Sequence, residues 1–233
     1  MGIVARNVSK VFGNPPVRAL DGVNLEIRDG EFVSLSGRSG AGKSTLLYVL
    51  SSLDNPTDGS VEISGRDITR MDAEELHRFR NQKMGFVFQF HYLIAELTAL
   101  QNVLMPAMKL GQEKKLKDKA ESLLEQFGLK DKLGRYPRQL SGGEQQRLAI
   151  ARSLIMDPAY LFADEPTGAL DTANAETVMG ILRDCSVKRG MTVIMVTHDP
   201  DFAAMARRQI RLADGRVISD NAGERQADRV ESR

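Results

Sequence analysis

The sequence predicts an α/β fold, and three observations carry that expectation. A glycine-rich stretch, "GRSGAGKST" at residues 37–45, stands between a short apolar run and a series of leucines at helical spacing. Two further apolar runs, in "AYLFADEPT" and "TVIMVTHD", end in carboxylates or a histidine. Between roughly residues 90 and 155 the apolar spacing turns helical. Short apolar strands alternating with helices build an open sheet whose ligand lies beyond the carboxyl ends of its strands.

Taken in order, "VNLEI" (Val23, Leu25, Ile27) and "SVEIS" (Val61, Ile63) alternate like half-exposed strands. Between them "EFVSLS" reads as a buried strand through Phe32, Val33 and Leu35, and "TLLYVLSSLD" as a helix with Leu46, Leu47, Leu50 and Leu53 on one face, stopped by "DNPTDG". That local order, strand then glycine loop then helix, makes the G-x-x-x-x-G-K-[ST] pattern a Walker A phosphate-binding loop in a P-loop NTPase core. Gly37, Gly40 and Gly42 let backbone N–H groups converge on phosphate oxygens, with Arg38, Ser39, Ala41 and Thr45 completing the loop. Lys43 supplies a point charge for the β- and γ-phosphates, and the Ser44 hydroxyl is placed to ligate Mg²⁺. The expected ligand is ATP or another nucleoside triphosphate.

Farther along, Leu116, Ala120, Leu123, Leu124 and Phe127 fall on one helical face, with Gly128 as its cap. The run Tyr160 to Ala163 ends in Asp164, which suits Mg²⁺ held through water, and Glu165, one residue on, suits proton abstraction from an attacking water. His198 closes the next strand and is expected to converge on the same phosphates. "IRLADGRVI" reads as a hairpin turning at Asp214 and Gly215. The last stretch, 221–233, is dense in charge and reads as a solvated tail beyond a single unit at 1–220.

Composition bounds the setting. The 233 residues are 42% hydrophobic and 27% charged, enough for one substantial domain with an inserted lobe. A net charge of +1 gives no electrostatic footprint for nucleic acid or an anionic membrane. The lone Cys185 forms no internal disulfide, and "MGIVARNVSKVF" lacks the apolar core of a secretory signal, which together suit a cytosolic setting. The most apolar helical window, Leu148 to Met156, is interrupted by Arg152 and is far shorter than the roughly 20 residues that span a bilayer.

"LSGGEQQRLAIARSL", residues 140–154, resembles the signature of the ABC ATPases. Around it, in that family's order, stand an aromatic near the start (Phe12), Walker A, a glutamine after an apolar strand ("GFVFQ", Gln89), Walker B, "GALD" (Gly168 to Asp171) and the histidine of "THD". The resemblance spans nearly the whole chain. It implies a RecA-like core with an antiparallel β arm and an inserted α-helical subdomain at about 90–155. Taken from the residues alone, Ser141, Gly142, Gly143 and Glu144 open an amphipathic helix and could form a second anion-binding helix start, or simply cap it well.

The resemblance implies more. Two copies close head to tail, with each ATP between Walker A of one and Ser141 and Gly143 of the other. Phe12 stacks on adenine or is a core phenylalanine; Gln89 contacts the metal and reports the γ-phosphate to a docked partner; His198 contacts that phosphate; Asp171 links the two sites. "RNQKMGFVFQFHYL", "LTALQNVLMP" and "ADEPTGALD" are most similar to the MacB/LolD-like group, although that group commonly has asparagine at Ala169. Such ATPases drive an integral membrane permease subunit from the cytoplasmic face of the inner membrane. Phe90, Tyr92 and Leu93 are either its docking segment or lobe core. The alternative is an FtsE-like regulatory ATPase acting through a membrane partner on cell-wall hydrolases.

Overall fold

The computed structural model describes residues 2–222, so the tail expected at 221–233 falls outside the described residues apart from Asn221 and Ala222. The chain begins with β1 (Gly2–Phe12) and β2 (Val17–Arg28), a long antiparallel pair. On its other edge β1 takes β4 (Asp58–Ile63), also antiparallel, and β4 takes the short β5 (Arg66–Asp67). The alternation in "VNLEI" and "SVEIS" buries Val23, Leu25, Ile27, Val61 and Ile63 on one face of this arm.

The second sheet holds the phosphate loop. It comprises β3 (Phe32–Ser36), β6 (Met84–Phe88), β7 (Tyr160–Asp164), β8 (Thr192–Val196), β9 (Arg208–Ala213) and β10 (Arg216–Asp220), in the order β10-β9-β3-β8-β7-β6. Every neighbouring pair is parallel except β9 and β10, the hairpin turning at Asp214 and Gly215. Connections run through α1 (Lys43–Leu50), α2 (Ala73–Lys83), α6 (Thr172–Val187) and the short α7 (Pro200–Met205). Between β6 and β7 the chain inserts α3 (Ala99–Met108), α4 (Glu113–Gln126) and α5 (Gly142–Leu154).

The pleat separates two cores. Phe32, Leu161, Ala163, Val193 and Met195 face α3 to α6, while Val33, Leu35, Tyr160, Phe162, Ile194 and Val196 face α1 and the β arm. Both faces of the sheet are therefore covered, and the strands' carboxyl ends are left as the open edge.

Two stretches differ from the sequence expectation. Helix α1 stops at Leu50, because Ser51 caps it and Ser52 turns left-handed at φ 58°; Leu53 leaves the helical face and is 41% exposed. The helical lobe begins at Ala99 rather than near 90, because Thr98 and Gln101 form a capping box there. Ahead of it, the buried Asn102 side chain ties down the non-helical segment through the backbone of Ile94 and Leu97.

Candidate nucleotide site

The glycine loop joins β3 to α1. Gly42 stands at the helix N-cap with φ 95°, and a Cβ there would lie 2.5 Å from the Ala19 carbonyl oxygen, so only glycine fits. Among the described residues no side chain caps this helix start, which leaves its first N–H groups to an anion. Lys43 Nζ donates to the carbonyl oxygens of Gly37 and Arg38, each at 3.0 Å, and so lies folded over the loop. Arg38, Ser39 and Gly40 are exposed, Ala41 is buried, and Gly37 and Thr45 are partly covered.

Asp164, the last residue of β7, meets α1 from across the sheet. Ser44 Oγ donates to Asp164 Oδ1 at 2.9 Å and Tyr48 Oη donates to Asp164 Oδ2 at 2.6 Å. Burial first, and then the Asp164 hydrogen bond, push the Tyr48 phenol well above its ordinary pKa, so it remains a donor at neutral pH.

Glu165 follows in a left-handed conformation, φ 47°, and its N–H donates to the Val196 carbonyl oxygen at 3.0 Å. This turn swings its side chain toward the end of β8, where His198 Nδ1 and Glu165 Oε2 are 2.8 Å apart. The glutamate side chain is 20% exposed and the histidine 74%, so the imidazole is the outer member of the pair. Gln89 comes directly after β6, beside Gly168, where a Cβ would stand 3.1 Å from the Gln89 amide carbon. Asp164, Glu165, His198 and Gln89 thus lie at or just beyond three adjacent strand ends, as their sequence positions predict.

The signature residues lie elsewhere, at the start of α5. Ser141 Oγ accepts from the Glu144 N–H at 3.3 Å, and Glu144 Oε2 accepts from the Ser141 N–H at 2.7 Å, a complete capping box. Ser141 and Gly142 are exposed, whereas Gly143 is buried. Asp171 caps α6, accepting from the Asn174 N–H at 2.8 Å and from its side-chain amide. These Asn174 hydrogen bonds hold the Asp171 carboxyl below the usual carboxylate range. Arg147 of α5 donates to Asn174 Oδ1 at 3.0 Å, joining the two helix starts.

Exposure bears on two alternatives left by the sequence. Phe12 is 43% exposed, with Lys10 Nζ 4.9 Å from its ring centre, so it is not a core residue. Phe90 and Tyr92 are 69% and 66% exposed, whereas Leu93 packs against the helical core. Tyr92 lies on the rim of a groove of about 430 Å³ between the sheet edge and the inserted lobe, lined also by Phe86, Phe88, Met105 and Met156. Arg152 fixes this rim by donating to the carbonyl oxygens of His91 and Tyr92.

Sequence reading missed Tyr48, Asn174 and Gln146. Tyr48 looks like a core residue of an apolar helix, and Asn174 lies outside every motif. Gln146, in the signature stretch, donates from the core to the carbonyl oxygens of Pro166 at 2.6 Å and Phe88 at 3.3 Å, tying α5 to the strand ends that carry Gln89 and Glu165.

A P-loop on a parallel sheet, acidic and imidazole groups at its strand ends, and a capped LSGGE helix on an inserted lobe define an ABC-type ATPase. The sequence profile of the ABC transporter family matches residues 20–168, and the chain belongs to that family. Over 218 residues it is 55% identical to the lipoprotein-releasing system ATP-binding protein LolD of Leptospira interrogans, covering 94% of this chain and 91% of that one. It is 46% identical over 216 residues to the macrolide export ATP-binding/permease protein MacB of Chlorobaculum tepidum, covering 92% of this chain and 33% of that protein. The dimeric ATP-binding cassette MJ0796, solved in a post-hydrolysis state with ADP and phosphate, superposes with a TM-score of 0.84 at 39% identity, covering 94% of this chain and 97% of that one. This chain is an ABC transporter ATPase of the LolD/MacB type.

Proposed function

We propose that residues 1–220 act as one ATPase unit that closes head to tail with a second copy around Mg·ATP and thereby drives a membrane permease subunit. The observation that carries this is the paired contact at the sheet edge, Ser44 with Asp164 at 2.9 Å and Glu165 with His198 at 2.8 Å, beside a P-loop helix that no side chain caps.

The roles follow from placement. Lys43 and the start of α1 bind the phosphates, and Phe12, exposed at the end of β1, stacks on the adenine. The Ser44 hydroxyl, the Asp164 carboxylate and the Gln89 amide oxygen are hard donors of the kind Mg²⁺ takes. Among the described residues no group of three or more His, Cys, Asp or Glu gathers, which suits an ion held by one carboxylate plus phosphate oxygens and water. When bound, the metal neutralises charge on the β- and γ-phosphate oxygens. Glu165 accepts the proton of the attacking water, and His198 holds the glutamate through Nδ1 while its exposed edge meets the γ-phosphate. Ser141, Gly142, Gly143 and Glu144 of the second copy close over the same phosphates, and Asp171 couples the two sites.

Among the described residues no helix is long and apolar enough to cross a membrane, and the permease subunit of this reading is a partner chain. The groove with Phe86, Phe88 and Tyr92 on its walls is the docking surface, reached from the cytoplasmic face of the inner membrane. No nucleic-acid partner is expected from a net charge of +1. The names of the LolD relatives support a lipoprotein as the substrate, released by a mechanical stroke of the permease.

Trapping Glu165→Gln with ATP in solubilised membranes and identifying the copurifying chains by mass spectrometry tests this reading. A permease with a large extracytoplasmic domain, together with lipoprotein, is the expected result. A partner carrying cell-wall hydrolase activators would replace transport with FtsE-like regulation, and capture of no membrane protein would defeat the coupling altogether.

A further inference from the structure

Behind the Asp164 carboxylate lies a contact that phosphate binding alone does not require. Ser44 and Tyr48 are four residues apart on α1 and therefore lie on one face of it. Each donates to a different oxygen of Asp164, Ser44 to Oδ1 at 2.9 Å and Tyr48 to Oδ2 at 2.6 Å. One helix thus grips both oxygens of a carboxylate at the end of β7, two strands along the sheet from β3. The helix end behind Tyr48 is itself fixed, because the Tyr48 carbonyl oxygen accepts from the N–H groups of Leu53 and Asp54 and from Ser51 Oγ.

A carboxylate's terminal torsion is broad and roughly two-fold, so an unheld aspartate at a strand end samples many orientations. A phenol donating to a carboxylate makes a short, charge-assisted bond that removes this freedom. A phenylalanine would fill the same space; the hydroxyl finds its partner at Asp164. We propose that Tyr48 is a positioning residue that locks Asp164 Oδ2 so that Oδ1 and the Ser44 hydroxyl are held ready, side by side, for the metal of Mg·ATP. This rests on the reading of Ser44 and Asp164 as the metal side of the nucleotide site.

The test is a titration of MgCl₂ into purified wild type, Tyr48→Phe and Asp164→Asn, each with a fluorescent ATP analogue, against a baseline in EDTA. For Tyr48→Phe, the Mg²⁺ concentration that half-saturates the gain in binding should rise about tenfold, the lower end of what outer partners of metal ligands contribute. Binding in EDTA should be unchanged. An unshifted Mg²⁺ midpoint overturns the inference, and so does equal weakening in EDTA, which would mark Tyr48 as a packing residue. Asp164→Asn separates the two levels of the argument. Retention of the full Mg²⁺ response by that variant would sink the site reading itself, whereas its loss beside a wild-type response in Tyr48→Phe would sink only the role of Tyr48. If Tyr48→Phe fails to fold, Tyr48→Met repeats the test with apolar bulk and no hydroxyl.

Discussion

Two helix starts, those of α1 and α5, carry similar strings of glycine, hydroxyl and charge, yet they are built in opposite ways. Helix α1 begins at Gly42 with φ 95° and no side-chain cap, so its first N–H groups have no partner from a capping side chain. Helix α5 begins at Ser141 with a full reciprocal box, in which Ser141 and Glu144 satisfy each other. An uncapped start is incomplete without an anion; a boxed start is complete without one. The first is suited to hold phosphate within its own chain. The second can add a contact to a phosphate already held elsewhere, through the exposed side of Ser141 and Gly142.

If the first helix start serves the chemistry, the largest effect belongs to the base beside it. Glu165→Gln should lower ATP turnover by about 10²–10⁴-fold, the range for removing a general base, while ATP binding at α1 persists. Steady-state phosphate release together with nucleotide binding checks this, and a variant turning over within tenfold of wild type would remove Glu165 from the role.

The second helix start should matter only in the closed pair. Ser141→Arg places bulk and charge on an exposed N-cap and is expected to reduce turnover by about 10²-fold, the scale for losing one positioned donor, with single-site ATP binding retained. Sedimentation in the Glu165→Gln background should then show ATP-dependent dimerisation lost. Dimers and turnover surviving together would mean that α5 does not meet the nucleotide.

The adjacent glycines sharpen the contrast further. A Cβ at Gly143 would lie 2.0 Å from Asn174 Oδ1, whereas a Cβ at Gly142 meets nothing within 4 Å. Asn174 cannot simply step aside, because its side chain is bonded to both Arg147 and Asp171. Gly143→Ala should therefore cost about 1–3 kcal/mol by overpacking, and Gly142→Ala close to nothing, both read from denaturant midpoints. Equal stability of the two variants would show that Asn174 does not rigidly join α5 to α6.

These contacts mark the limit of what the sequence discloses. The P-loop, the strand ends at Asp164 and His198 and the LSGGE start were legible because each is a local string with its own flanking pattern. The same locality made the β9–β10 hairpin and the buried face of α4 legible. What escaped depends on partners far apart in the chain, such as Tyr48 with Asp164, 116 residues on, or Arg147 with Asn174, 27 residues on. Helix ends escaped for a different reason. The α1 stop is set by a left-handed Ser52, and serine carries no strong breaker signal, while the more conspicuous "DNPTDG" lies just beyond.

The smallest effect discriminates most directly between the two helix starts. Ser141→Ala removes the N-cap acceptor of α5 and should lower stability by about 1 kcal/mol whether or not nucleotide is present. If ATP is held at α1, the added stability that Mg·ATP confers, which grows as RT ln(1 + [L]/Kd), should be the same in this variant as in wild type. Lys43→Ala reverses the pattern. Among the described residues Lys43 donates only to the carbonyl oxygens of its own loop, so its loss should leave the nucleotide-free thermal midpoint near wild type and abolish the ATP-induced rise. A dilute sample, in which pairs do not form, makes the distinction clean. If Ser141→Ala there blunted the ATP response as Lys43→Ala does, α5 would be touching the nucleotide of its own chain, and the division between an uncapped start that binds and a boxed start that closes would fail.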